Sequence, residues 1–188
     1  MPGKAAKFII ECKRWREQGR ASIFLAQEHN FPPDREDELK DLAALHGFTA
    51  VFGFAEAAAD GVHHGGTMTL IDSKIASLTK YESLESNGGA LVTEIDWTGT
   101  TLSIVNVYAP SKPNKRVDFY NAIKKKVHKN MIMMGDWNCV PDVLLDVQSE
   151  NPLNYANVGA ALLEKSLRKM GCTISGEISY TLNTNPRA

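Results

Sequence analysis

Three short polar clusters hold the residues of this chain whose types could do chemistry together: Gln27-Glu28-His29-Asn30, Asn106-Val107-Tyr108-Ala109-Pro110 and Gly135-Asp136-Trp137-Asn138. Each closes an apolar run of strand type. A lone acid at a strand end is commonly a turn former or a helix cap, and that reading wins for any one cluster taken alone. Three such clusters carrying Glu, Tyr, Asp and Asn are better explained by one shared site, because α/β folds present their sites at the C-terminal ends of strands. Carboxylate oxygens suit a hard cation such as magnesium, which keeps several waters and completes its shell with phosphate. Neutral Asn and Tyr donors suit the positioning of phosphate without a redox cofactor.

The elements that must position these clusters follow from periodicity. Residues 5–18 fit a helix with Phe8, Ile9, Cys12 and Trp15 on one side, stopped at Gly19. The run Ser-Ile-Phe-Leu-Ala at 22–26 reads as a buried strand. Pro32-Pro33 breaks the chain, and the acids Asp34, Glu36 and Asp37 open a helix that runs to about His46, where negative charge suits the helix dipole and Gly47 caps the end. Strands are expected at 49–54, 66–72 and 75–81, followed by a hairpin of 90–97 and 101–108 turned at Thr98-Gly99. A helix over 114–129 would bury Phe119, Ile123 and Val127, a strand over 131–134 leads into the third cluster, and a last helix spans about 158–170 before a short β-like tail. With no repeat and no linker, the 188 residues read as one α/β domain.

With the elements in place, the clusters resemble a known set. Gln27-Glu28, Asn106-Val107-Tyr108-Ala109-Pro110 and Gly135-Asp136-Trp137-Asn138 are similar, in order and separation, to the Q-E, N-x-Y-x-P and G-D-x-N signatures of the endonuclease/exonuclease/phosphatase superfamily. Gly65-Gly66 and Tyr180-Thr181 are weaker matches, and the likeness covers roughly residues 5–182. The spelling, particularly Gln-Glu-His and Val-Tyr-Ala-Pro, most resembles the endonuclease domains of LINE-type non-LTR retrotransposons. The resemblance implies two packed, mainly antiparallel β-sheets flanked by helices, a four-layer α/β sandwich, incomplete at both ends. It implies in-line attack of water on a phosphodiester, with DNA as substrate and magnesium, or manganese in its place, as cofactor. Carried over, Glu28 would hold the metal, Asp136 would orient or deprotonate the attacking water, and Tyr108 and Asn138 would hydrogen-bond the scissile phosphate. Asn106 would brace the site from behind.

The family's opening Asn-bearing strand and its closing Ser-Asp-His motif have no counterpart in these residues. The expectation is therefore a partial domain with impaired turnover, since general acid–base help is typically worth ~10²–10⁴-fold. A phosphatase acting on a small phosphate ester at the same site, and a degenerate remnant without catalysis, are the alternatives.

Composition narrows the rest. The three cysteines, Cys12, Cys139 and Cys172, are odd in number and far apart, which fits reduced structural thiols. No run is apolar enough to span a bilayer and no signal peptide is visible, so an intracellular protein, cytoplasmic or nuclear, is expected. Protein partners are not indicated. With a net charge of −1, contact with nucleic acid must use a local basic surface or a metal. The basic residues Lys112, Lys115, Arg116, Lys124, Lys125, Lys126 and Lys129 read as a solvated face, and Trp15/Arg16 as packing plus solvent. Alternation along a strand would turn His29 away from the side of Glu28. Trp137 and Cys139 read as packing residues beneath the site.

Overall fold

The computed structural model describes residues 4–84, 89–126, 131–139, 160, 161, 164 and 165. In chain order these form α1 (Lys4–Glu17), β1 (Ile23–Gln27), a 3-10 turn (Pro33–Arg35), α2 (Glu36–Leu45), β2 (Phe48–Gly53), β3 (Thr67–Asp72), β4 (Ala76–Ser83), β5 (Ala90–Trp97), β6 (Thr100–Tyr108), α3 (Pro113–Lys126) and β7 (Met131–Asp136). Within the expected helix at 158–170, the four described residues are helical. Val127, His128, Lys129, Cys172 and the Tyr180-Thr181 match lie outside the described residues.

The strands form two sheets, ordered β1-β3-β2 and β4-β5-β6-β7, antiparallel throughout except for the parallel β6–β7 pair. That one parallel pair follows from α3, because a crossover helix between β6 and β7 brings the chain back to run beside β6 in the same direction. Alternation along each strand then divides the apolar residues into three cores. Ile9, Cys12, Leu39 and Ala43 of α1 and α2 pack on Phe24, Met68 and Leu70 of the first sheet. Phe119, Tyr120 and Ile123 of α3 pack on Val92, Val105 and Val107 of the second. Ile71, Ile95 and Ile104, with Ile23 and Leu25 against them, fill the space between the sheets. The result is the helix–sheet–sheet–helix sandwich that the sequence motifs implied.

Several local expectations change. Strand β1 borders its sheet, and only Phe24 within it is fully buried, so it is not the buried strand that its apolar run implied. The acidic run first makes a 3-10 turn, because Pro33 fixes one residue and supplies no N–H, and α2 proper starts at Glu36. Arg16 is not left to solvent. Its guanidinium lies over the Phe48 ring at 4.6 Å, donates to the Gly47 carbonyl at 3.1 Å and meets Asp72 at 3.5 Å. Arg116 is likewise buried rather than part of a solvated basic face, and its Nε and Nη2 donate to the carbonyls of Pro110 and Ser111.

One polar residue ties the two sheets together. Asn106 of β6 is fully buried and faces the first sheet. Its Nδ2 donates to the carbonyls of Ala26 on β1 (3.1 Å) and Met68 on β3 (2.9 Å), and its Oδ1 accepts from Gln27 Nε2 at 2.7 Å. Replacing Asn106 by Leu keeps the volume but leaves two carbonyls and one amide unpaired in the core. The substitution should lower unfolding free energy on the order of 3 kcal/mol, since each unsatisfied buried group costs roughly 1–3 kcal/mol. Urea unfolding of the purified variant checks this, and an unchanged midpoint would mean the bridge carries no stability.

Candidate functional site

The inter-sheet bond places the ends of β1 and β6 against each other. Gln27 and Asn106 meet, and the residues just beyond them, Glu28 and Tyr108, meet next, with the Tyr108 hydroxyl donating to Glu28 Oε1. Parallel pairing of β6 with β7 sets Tyr108 beside Asp136. The close approach of those two strands depends on Gly135, at φ +142°, because a Cβ there would run into the backbone of Val107. Beyond Asp136 the chain turns sharply. The Asn138 N–H donates to Asp136 Oδ1 at 2.8 Å, Asn138 Nδ2 donates to the Ala109 carbonyl at 2.6 Å, and the Ala109 N–H donates to the Asp136 carbonyl at 2.8 Å. Glu28, Tyr108, Asp136 and Asn138 are thus gathered at one end of the sandwich, with Asn106 directly behind them.

Local backbone geometry concentrates here. Four non-glycine residues among those described have positive φ, and three belong to this end of the sandwich: Glu28 at 56°, Asn30 at 55° and Asn138 at 49°. Asparagine tolerates this region, whereas glutamate seldom adopts it. Such conformations cost on the order of 1–3 kcal/mol and persist only where surrounding contacts over-determine them. At Asn138 the contacts come from α3, whose buried Tyr120 donates its hydroxyl to the Trp137 carbonyl at 2.5 Å and lies 3.3 Å from Cys139 Sγ. Trp137 packs against that ring with centroids 6.3 Å apart, and burial raises the pKa of the Cys139 thiol, so both residues serve packing.

The electrostatics favour a protonated phenol between carboxylates. Burial raises the Tyr108 pKa, and the hydrogen bond to Glu28 and the charges of Glu28 and Asp136 add to it. Tyr108 is therefore a hydrogen-bond donor at any working pH. Glu28 and Asp136 are themselves exposed. No group of three or more His, Cys, Asp or Glu side chains capable of holding a metal occurs among the described residues. That donor set does not fit a structural zinc site, which needs four N or S ligands. It fits magnesium, which is held through one or two carboxylates and keeps its waters.

His29 packs away from the carboxylates, although not by strand alternation, since Glu28 already lies past the end of β1 in a left-handed conformation. Its ring stacks on Phe31 at 5.2 Å and meets Phe52 and Phe54 edge-on. Nδ1 accepts from the Phe31 N–H at 3.0 Å, which leaves Nε2–H to donate to the Gly53 carbonyl at 3.1 Å. Residues that motif reasoning left without a role also hold the site. Asn30 grips Gly65, and Arg116 and Tyr120 hold the loops after β6 and β7. Asn30 stood inside the first cluster and could have been found there. Arg116 and Tyr120 share the helix face of Phe119 and Ile123, but the carbonyls they bind belong to loops that only the fold brings to that face.

No family model matches the chain, and neither does any curated protein. Solved structures do. An AP endonuclease from Archaeoglobus fulgidus aligns with 86% of this chain at 15% identity and a TM-score of 0.62. AP endonuclease LMAP from Leishmania major aligns with 89% at 16% identity and a TM-score of 0.65. ANGEL2, described as a 2',3'-cyclic phosphatase, aligns with 72% at 16% identity and a TM-score of 0.52. The chain spans 65%, 62% and 44% of those proteins respectively. At such identities the likeness is one of fold, the two-sheet α/β sandwich shared with these AP endonucleases and the phosphatase. Among the described residues no helix is long and apolar enough to cross a membrane.

The buried imidazole gives a pH signature. Burial holds the His29 pKa below its ordinary 6.5, so as pH falls through that value the unfolded chain takes up a proton that the folded chain refuses. Stability should therefore fall as pH drops below 6.5 and be flat with respect to this group above it. Melting temperatures across that range should show a shallower fall in His29→Gln than in the wild type, and parallel curves would contradict the assignment.

Proposed function

We propose that this chain carries a magnesium-dependent phosphodiester hydrolase site and acts on DNA as a nicking endonuclease of the LINE-type retrotransposon kind. The observation that carries the reading is the convergence of Glu28, Tyr108, Asp136 and Asn138, from three strand ends and both sheets, at one exposed edge of the sandwich. Turn formers with unrelated local jobs have no reason to meet across two sheets. Exposure of both carboxylates supports a polymeric substrate laid across the edge rather than a small ester enclosed in a pocket. The spelling of the Gln27-Glu28-His29 and Val107-Tyr108-Ala109-Pro110 motifs supports DNA and the retrotransposon source. AP endonucleases and a 2',3'-cyclic phosphatase among proteins of this fold support phosphate-ester chemistry.

In this reading Glu28 would hold the magnesium ion, whose charge would offset that on the phosphate oxygens. The water oxygen would bond to phosphorus as the phosphorus–oxygen ester bond breaks, with Asp136 taking the water's proton and solvent protonating the leaving alkoxide. The Asp136 carboxylate accepts from the Asn138 N–H and its carbonyl from the Ala109 N–H. Tyr108, kept protonated, would turn its single hydroxyl hydrogen from Glu28 to a phosphate oxygen when substrate binds. Asn138 has committed one amide hydrogen to Ala109 and offers the other to the phosphate. Asn106 touches no substrate and acts by holding β1 against β6.

Relaxation of supercoiled plasmid by the purified chain tests the proposal. Nicking should require magnesium and should fall by ~10²–10⁴-fold in Asp136→Ala, the range typical of a lost general base. Nicking that survives chelation or the substitution would overturn the mechanism. Hydrolysis of small phosphate esters with no plasmid nicking would overturn the choice of DNA.

A further inference from the structure

The segment from Glu28 to Phe31 is held more tightly than a loop of four residues requires. Glu28 and Asn30 both take left-handed backbone conformations, and the ring of His29 between them is pinned at both nitrogens and stacked on Phe31. Asn30 then makes a reciprocal pair with a residue 35 positions away. Its Oδ1 accepts the Gly65 N–H at 2.6 Å, and its own N–H donates to the Gly65 carbonyl at 2.9 Å. Gly65 is itself fitted to the site wall. At φ +109° it lies against the Tyr108 ring, and a Cβ at that position would stand 3.1 Å from Tyr108 Cε1. The Tyr108 hydroxyl in turn donates to Glu28. A closed circuit results, running from Glu28 through Asn30 and Gly65 to Tyr108 and back to Glu28.

We infer that Asn30 is a positioning residue whose pairing with Gly65 aims the Glu28 carboxylate for the cation. The inference rests on Glu28 being the metal ligand, as proposed above. The side chain does two separable things: asparagine tolerates the left-handed backbone, and its Oδ1 fastens the loop to the wall that carries Tyr108. Glycine in its place keeps the backbone, with its N–H bond to the Gly65 carbonyl, and removes the Oδ1 fastening. Aspartate keeps both.

Binding of Mn2+ alone, followed by loss of the free-ion electron paramagnetic resonance signal, is measured on the full chain as wild type, Asn30→Gly, Asn30→Asp and Glu28→Ala, with melting temperatures alongside. Asn30→Gly should weaken Mn2+ binding by roughly 10–100-fold, the usual cost of losing a group that orients a ligand, while Asn30→Asp restores it and Glu28→Ala abolishes it. The melting temperature of Asn30→Gly should not track its affinity, because Asn30 is an exposed residue outside the cores. Wild-type affinity in Asn30→Gly, with binding lost in Glu28→Ala, would overturn the positioning role and leave the metal assignment standing. Wild-type affinity in Glu28→Ala would overturn the metal assignment, and the inference with it. Loss of affinity in both Asn30 variants would also overturn it, since the aspartate would then fail to do the asparagine's work.

Discussion

Asn106 is the residue on which the rest of this site depends. A two-sheet sandwich held only by apolar contact between its faces is tolerant of small slides, because burial is non-directional. A fully buried amide making three hydrogen bonds to the opposite sheet is not tolerant in the same way. Any slide would strand polar groups in the core, each at a cost of about 1–3 kcal/mol. The bond set therefore fixes where β1 ends relative to β6, and so which residues face each other one step further on. Glu28 meets Tyr108 because Gln27 meets Asn106.

From that fixed point the site is assembled by short, strained turns rather than by long loops. Left-handed backbone at Glu28, Asn30 and Asn138 turns side chains toward the edge of the sandwich in a way that extended strand could not. Each turn is held from behind by a residue with no direct part in chemistry: His29 among its phenylalanines, Asn30 on Gly65, Tyr120 under Trp137 and Arg116 on Pro110 and Ser111. Such supports come from α3 and from the turn after β1 itself, so the carboxylates can be exposed to solvent and still be well placed. That combination suits a site for a large, charged substrate, where the groups must be reachable yet pre-set.

The parts legible in the sequence were those with local signatures. Apolar period and turn residues gave the helices and strands to within a few residues, and motif order gave the sandwich. Other features depended on contacts made across the fold. The run Ser-Ile-Phe-Leu-Ala looks like an interior strand, yet β1 borders its sheet, because apolar content does not reveal how many neighbours a strand has. Arg116 sits among lysines and reads as surface, whereas the helix turns it inward to bind two carbonyls that only the folded loop presents. His29 was expected to point away from Glu28 by strand alternation. It does pack away, but through a left-handed turn that residue types alone do not announce. Asn30 carried the strongest overlooked signal, since an asparagine directly after a strand end is often there for its conformation or its side-chain acceptor.

The chemistry of this chain turns on whether the edge formed by β1, β6 and β7 is a cation site. Anomalous scattering from crystals of this chain soaked in manganese tests that most directly. A peak is expected within bonding distance of a Glu28 carboxylate oxygen, on the side shared with Tyr108 and Asp136. A manganese peak elsewhere with none at Glu28, in a crystal where the Asn106 bridge is intact, would contradict it.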